Sequence, residues 1–253
     1  MGGLRRIAIA VVFALGVAAC VPTGPPAGTR LPDLAMPQIL QLRITNPGDG
    51  THSLQFSTTV VNLGAVDFRL RATRPDTNSN WTVYQVLPDR SGNLISYRTN
   101  ATYIYGGDGH NHWHVRYLAT YRLYRLSDNA QVNHSLKSGF CFFDTSPYNL
   151  DLPGSPQAPV YNSLGCGAQD AIVSTMGLSV GWGDTYGRGL PGQEIDASGL
   201  PAGDYRLRVM ADEAGNYYEQ TRANNANWSD FHLTYDTSGN AHIQVFATGP
   251  QPG

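Results

Sequence analysis

Turn residues cut this chain into short alternating runs, and that punctuation restricts most of it to β structure. Leu54–Val61, Phe68–Ala72, Thr82–Leu87, Tyr117–Leu126 and Tyr205–Met210 alternate apolar and polar positions, the period of a strand with one buried face. Turn signals separate them at Pro47-Gly48-Asp49-Gly50, Ser91-Gly92-Asn93, Ser127-Asp128-Asn129 and Pro201-Ala202-Gly203-Asp204, residues that favour tight reversals. Further strands are expected at Ile39–Ile44, Gly139–Phe143, Asp230–Tyr235 and His242–Phe246. Long amphipathic helix patterns are scarce. The expected fold is all-β, a sandwich or barrel with long decorated loops and little helix. The Pro-rich stretch from Ser146 to Pro159 reads as a long irregular loop, and residues 248–253 as a disordered tail.

The start of the chain bears on where the domain works. Arg5 and Arg6 precede an apolar run, Ile7 to Ala19, that ends in small residues before Cys20. This is the pattern of a secretory signal peptide over residues 1–19. The small residues directly before Cys20 make it resemble a bacterial lipoprotein signal, which implies cleavage there and lipidation of the cysteine; an ordinary signal peptide is the alternative. The run is shorter than the roughly 20 apolar residues of a membrane-spanning helix. Residues 20–32, rich in Pro and Gly, read as a flexible tether, and residues 33–247 as one domain. The expected location is extracytoplasmic, attached to a membrane or cell surface through Cys20. In that compartment Cys141 and Cys166 are most simply a disulfide. A net charge of −2 with no basic run argues against nucleic acid as a partner.

The densest chemistry lies in GGDGHNHWHV, residues 106–115, where His110, His112 and His114 alternate. On a strand such residues leave one face. On a flat strand the outer pair would have Cα atoms about 13 Å apart, so three rings reach one ion only where the backbone bends. Gly106, Gly107 and Gly109 stand just before them, where a bend costs least. An all-imidazole set suits copper, zinc, nickel or iron. A zinc site with an activated water is one reading. A cupin-type oxygenase would want a Glu shortly after His114, and none follows. A non-catalytic metal-binding immunoglobulin-like surface module is another.

Leu31–Leu34 (LPDL), Thr58–Gly64 and Gly203–Asn225 resemble bacterial immunoglobulin-like adhesion modules, which implies that the all-β fold is an immunoglobulin-like β-sandwich core and implies no chemistry. A broader resemblance runs from Leu31 to Tyr235. LPDL, VVNLGAVDFRL, the triple histidine, HSLKSGFCFFDTS (134–146), GDTYG (183–187), then G-x-Y-x-L-x-V and an Asn pair occur in one order. Together they are similar to the lysyl oxidase family, the copper amine oxidases of the extracellular matrix and their microbial relatives. The resemblance implies a lysyl oxidase-like catalytic domain in which His110, His112 and His114 bind copper(II). It implies that Lys137 and Tyr186 form lysine tyrosylquinone, and that the chain oxidatively deaminates primary amines with O2. Peptidyl lysine or small alkylamines would give aldehydes, ammonia and hydrogen peroxide. A phenol near Cu(II) and O2 can be oxidised to an ortho-quinone, and a lysine amine can add to that ring. Asp184 and Asp144, in the matched motifs, are nominated as general base; either has the alternative role of pinning a turn. The sequence departs from the animal enzymes before the triple histidine, where Tyr105-Gly106-Gly107-Asp108-Gly109 replaces a Trp- and Cys-containing segment. It also departs in the cysteines, of which one pair remains in the domain.

Overall fold

The computed structural model describes residues 24–106 and 110–253; the expected signal peptide, Cys20, Gly107 and Gly109 lie outside the described residues. The described residues build an all-β architecture whose helical content is one 3-10 turn, Ser163–Cys166. Every strand pairing among the described residues is antiparallel.

A six-stranded sheet forms around the ten-residue strand Ser53–Asn62, which pairs with Leu34–Ala35, Leu40–Thr45, Trp182–Tyr186 and Glu194–Asp196. Facing it is a five-stranded sheet in the order Ala130–His134, Ala119–Arg125, Gly203–Ala211, Ala226–Tyr235, Ala241–Thr248. Alternation along these strands puts Leu54, Phe56 and Val60 on one side of the core and Tyr121, Leu123, Leu207, Val209, Phe231 and Leu233 on the other. Phe56 meets Tyr121 edge-on at 5.1 Å, and the Tyr121 hydroxyl bonds the Thr58 hydroxyl at 2.9 Å. This aromatic contact joins the two layers.

Two smaller sheets carry the periphery. Val173–Leu178, Phe68–Thr73, Thr82–Pro88 and Leu94–Arg98 form one; Gly139–Phe140, Trp113–Arg116 and Tyr103–Tyr105 form the other. Cys141 and Cys166 form a disulfide. The expected strand Gly139–Phe143 stops at Phe140, because Cys141 leaves the ladder to make that bond.

Both ends of the domain differ from expectation. Residues 248–253 are held rather than loose. Asn227 Nδ2 donates to Pro250 at 2.9 Å, and the Tyr148 hydroxyl donates to Pro252 at 2.7 Å. Part of the expected tether is also docked: the Leu31 carbonyl accepts from the Ala65 backbone amide at 2.9 Å and from Gln220 Nε2 at 3.1 Å. Backbone carbonyls of Pro- and Gly-rich segments need donors when they run along a surface, and the neighbouring turns supply them.

Candidate metal centre and its lysine–tyrosine pair

The alternating histidines do not share a flat strand. His114 lies within Trp113–Arg116, whereas His110 and His112 precede it. The His112 amide donates to the His110 carbonyl at 2.8 Å, an i to i+2 bond that closes a three-residue turn. The bend the spacing calls for therefore lies within the histidines themselves. It brings the rings together, with centroids 5.6, 5.9 and 4.6 Å apart. One nitrogen from each lies within 4.8 Å of the others. With metal–nitrogen bonds of about 2.0–2.1 Å, opposed ligands stand about 4.2 Å apart. The donor set therefore fits a single transition metal after a small inward rotation of the rings.

Glycines let the backbone close over this cluster. The Gly106 amide donates to the His112 carbonyl at 3.1 Å. A Cβ at position 106 would stand 2.3 Å from His114 Cε1, and one at Gly139 would stand 3.0 Å from His114 Cβ.

Trp113 points away from the histidines on either side of it, and its face is clamped. The Arg74 guanidinium lies 4.7 Å from both the Trp113 and the Trp81 rings. It donates through Nε to Ala171 O, through one terminal nitrogen to Thr77 O and through the other to Gln169 O, each at 2.7 Å. Trp113 Nε1 donates to Ala168 O at 3.0 Å, and its amide donates to Gly167 O. The segment after Cys166 is thus bolted to the back of the histidine turn.

The front of the turn opens onto a cavity of about 200 Å³ lined by all three histidines, Lys137, Asp184 and Tyr186. Strand Trp182–Tyr186 pairs with Ser53–Asn62, placing Asp184 opposite Val60 and Tyr186 opposite Thr58. Two residues apart, they leave the same face. Lys137 comes from the connection between Ala130–His134 and Gly139–Phe140. Its amide donates to Ser135 Oγ at 3.0 Å, and Ser135 Oγ donates to Gly192 O at 2.5 Å. Gly192, at φ +76, lies so close that its Cβ would sit 3.0 Å from Lys137 Cβ. The result is a lysine Nζ 5.1 Å from the Tyr186 ring centroid and 5.2 Å from that of Phe140. Phe140 meets Tyr186 edge-on at 5.1 Å.

Asp184 and Asp144 have opposite environments. Asp184 Oδ1 accepts from Thr145 Oγ1 at 3.1 Å, while Oδ2 is buried with no hydrogen-bond partner. Burial pushes its carboxyl up to about 7, with Tyr186, Thr145 and the charge of Lys137 pulling partly back. Burial first, and then the charge of Asp184, push the Tyr186 phenol well above its ordinary value, so its proton stays on. That hydroxyl donates to Cys141 O at 3.3 Å. Asp144 lies outside the cavity. Its oxygens accept from Val160 N, Tyr161 N, Ser179 N and Ser179 Oγ at 2.7–3.1 Å. It pins a loop, the alternative role open to it from the sequence.

Several contributors carry little sequence signal. Thr145, Phe143, Ser163 and Leu190 line the cavity, but nothing in their spacing marks them. One signal was present in composition: Lys137 is the only lysine of the chain, the other sixteen of its 17 basic residues being arginine.

No curated protein sequence matches this chain. The sequence model described as lysyl oxidase matches residues 93–244. That stretch takes in more than half of the chain and every residue lining the cavity, so the chain belongs to the lysyl oxidase family.

Proposed function

We propose that this chain is a copper-dependent amine oxidase that converts primary amines, peptidyl lysine or small alkylamines, to aldehydes with release of ammonia and hydrogen peroxide. The observation that carries this reading is the 5.1 Å separation between Lys137 Nζ and the Tyr186 ring inside the three-histidine cavity. Lys137 and Tyr186 lie 49 positions apart in the sequence numbering. Only folding brings a nucleophilic amine against a phenol ring beside a metal-ligand cluster, and family membership supports the same assignment.

In this reading His110, His112 and His114 hold copper(II), and Lys137 and Tyr186 are the precursors of lysine tyrosylquinone. Copper and the quinone, once in place, supply O2 chemistry and an electron sink for amine oxidation. The remaining work falls to the chain. Phe140 and the Cys141 carbonyl hold the Tyr186 ring edge and hydroxyl. Ser135 and Gly192 hold the lysine backbone. Asp184 Oδ2, buried and without a donor, is the atom to which a proton from the substrate carbon is delivered. A carboxyl poised near neutrality suits that task, since a base works best with a pKa near the working pH. The proposal extends to placement outside the cytoplasm with a lipid anchor on Cys20; the disulfide is compatible with an oxidising compartment.

The test is aerobic loading of the protein with copper, followed by peptide mapping and peroxide measurement with an alkylamine. A cross-linked peptide containing Lys137 and Tyr186, with peroxide release blocked by a hydrazine, is expected. Recovery of both residues only in separate linear peptides overturns the amine oxidase reading and leaves a metal-binding module.

A further inference from the structure

The sixteen arginines and single lysine raise a chemical question that the site answers. Lysine is among the commonest residues, and a soluble chain of this length ordinarily carries on the order of a dozen. Cations are needed here, because 19 acidic residues are balanced to a net charge of −2. Some arginines occupy positions that require a planar fork. Arg206 grips Asp230 through Nε at 2.7 Å and a terminal nitrogen at 2.8 Å, and Arg74 bridges three carbonyls. Others do not. The Arg71 and Arg98 side chains are exposed and make no hydrogen bond or ion pair to another described residue. At such solvated positions lysine serves equally well for charge and solubility.

The two side chains differ in what an amine-oxidising centre can do to them. A lysine ε-amine is a primary amine on a CH2 group, the grouping the proposed reaction consumes. A guanidinium is delocalised and stays protonated, with its pKa above about 12. It offers neither a free amine to condense with a carbonyl nor an easily oxidised one.

We infer that the chain is purged of lysine so that it is not its own substrate, with Lys137 kept as the one amine whose oxidative modification is required. The inference rests on the amine oxidase reading and extends it to the surface side chains of this chain and of a second copy of it. The avoided reaction is balanced as follows. A surface –CH2–NH2 loses two electrons and two protons to O2, which becomes hydrogen peroxide. Water supplies the carbonyl oxygen, ammonia leaves and –CHO remains. Such an aldehyde would condense with any neighbouring lysine amine and couple copies of the enzyme.

The test introduces lysine where the arginine side chain has no partner among the described residues. Arg71→Lys, Arg98→Lys and the double variant are matured with copper and held aerobically without added amine. Expected is hydrazide label and the amine-to-aldehyde mass change at position 71 or 98, rising with protein concentration, with crosslinked oligomers in the double variant. Wild type gains no such label outside the Lys137–Tyr186 peptide. Metal-free variants gain none either. Variants that oxidise an added alkylamine at the wild-type rate, yet keep lysines 71 and 98 intact, overturn the inference and leave the enzyme reading standing. Absence of peroxide from alkylamine in wild type and variants alike is the separate signature of a failed enzyme reading, which removes the inference with it.

Discussion

Gly106 covers the His114 imidazole so closely that a methyl group cannot be inserted between them: the Cβ it lacks would lie 2.3 Å from Cε1 and 2.6 Å from Nδ1 of that ring. Its amide also holds the His112 carbonyl. One backbone position therefore fixes two of the three histidines. Gly106→Ala forces the His114 ring out of its place or parts the strand Tyr103–Tyr105 from Trp113–Arg116. Positions that orient metal ligands typically change affinity about 10–100-fold when altered. We expect a loss of copper affinity in that range, read by competition with a chelator, with the far-ultraviolet circular dichroism of a β protein retained.

Asp184 ties pH to both stability and turnover. An unfolded Asp titrates at about 3.9, whereas in the fold its carboxyl sits at about 7. Below the unfolded value both states hold the proton and the full stability is present. Between the two values only the folded state holds it, so stability falls as pH rises, and above about 7 the loss is complete. Three pKa units correspond to roughly 4 kcal/mol. Asp184→Asn in the unprocessed, metal-free protein is expected to unfold at higher urea concentration than wild type at pH 8, with the difference vanishing near pH 4. In the proposed amine oxidase the same substitution would remove the proposed base. The rising limb of kcat/KM near pH 7 should disappear along with most of the activity.

How much of this was legible depended on whether one face of a segment met solvent. Phe68–Ala72 and Thr82–Leu87 alternate and fold as strands with nearly those bounds. Trp182–Tyr186 lies against the central strand of its sheet and is buried almost throughout, so it has no polar face to reveal it. The histidine spacing exposed a candidate metal site and the need for a bend, but the turn at His110–His112 follows from a backbone hydrogen bond that no residue type announces. Asp144 and Asp184 are the same residue in equally suggestive motifs. Only the donors arranged around each separate a loop pin from a buried carboxyl with an unpartnered oxygen. Arg74 lies outside every matched motif and 39 positions before Trp113, and only the fold brings it against that ring.

That arginine is expected to position the metal ligands through Trp113 without touching the ion. Its fork spans the Trp81 and Trp113 faces and three carbonyls. A lysine retains the charge but loses the planar bridge. Arg74→Lys should weaken copper binding and alter the Cu(II) electron paramagnetic resonance signal. Trp113→Phe, which removes the indole bonds to Ala168 and Gln169, should shift the same spectrum in the same direction. Unaltered spectra in both folded variants would reduce Arg74 to a packing role.

The disulfide joins the two faces of the site. Cys141 carries the carbonyl that holds the Tyr186 hydroxyl, and Cys166 leads into the segment that grips Trp113. With the cysteines 25 positions apart, the crosslink restricts the unfolded chain by about 3–4 kcal/mol in the chain-entropy account. Cys141→Ser with Cys166→Ser should lower stability by that amount in urea titrations, and reduction of the wild type should reproduce it. A second effect separates site geometry from general stability. At a urea-free temperature where the double variant is still folded, formation of the Lys137–Tyr186 cross-link after copper loading should be slower than in wild type. The Tyr186 ring has then lost the fixed carbonyl that orients its hydroxyl toward the cavity. An unchanged maturation rate in the folded double variant would mean that Phe140 and the sheet hold Tyr186 without help from the crosslinked turn.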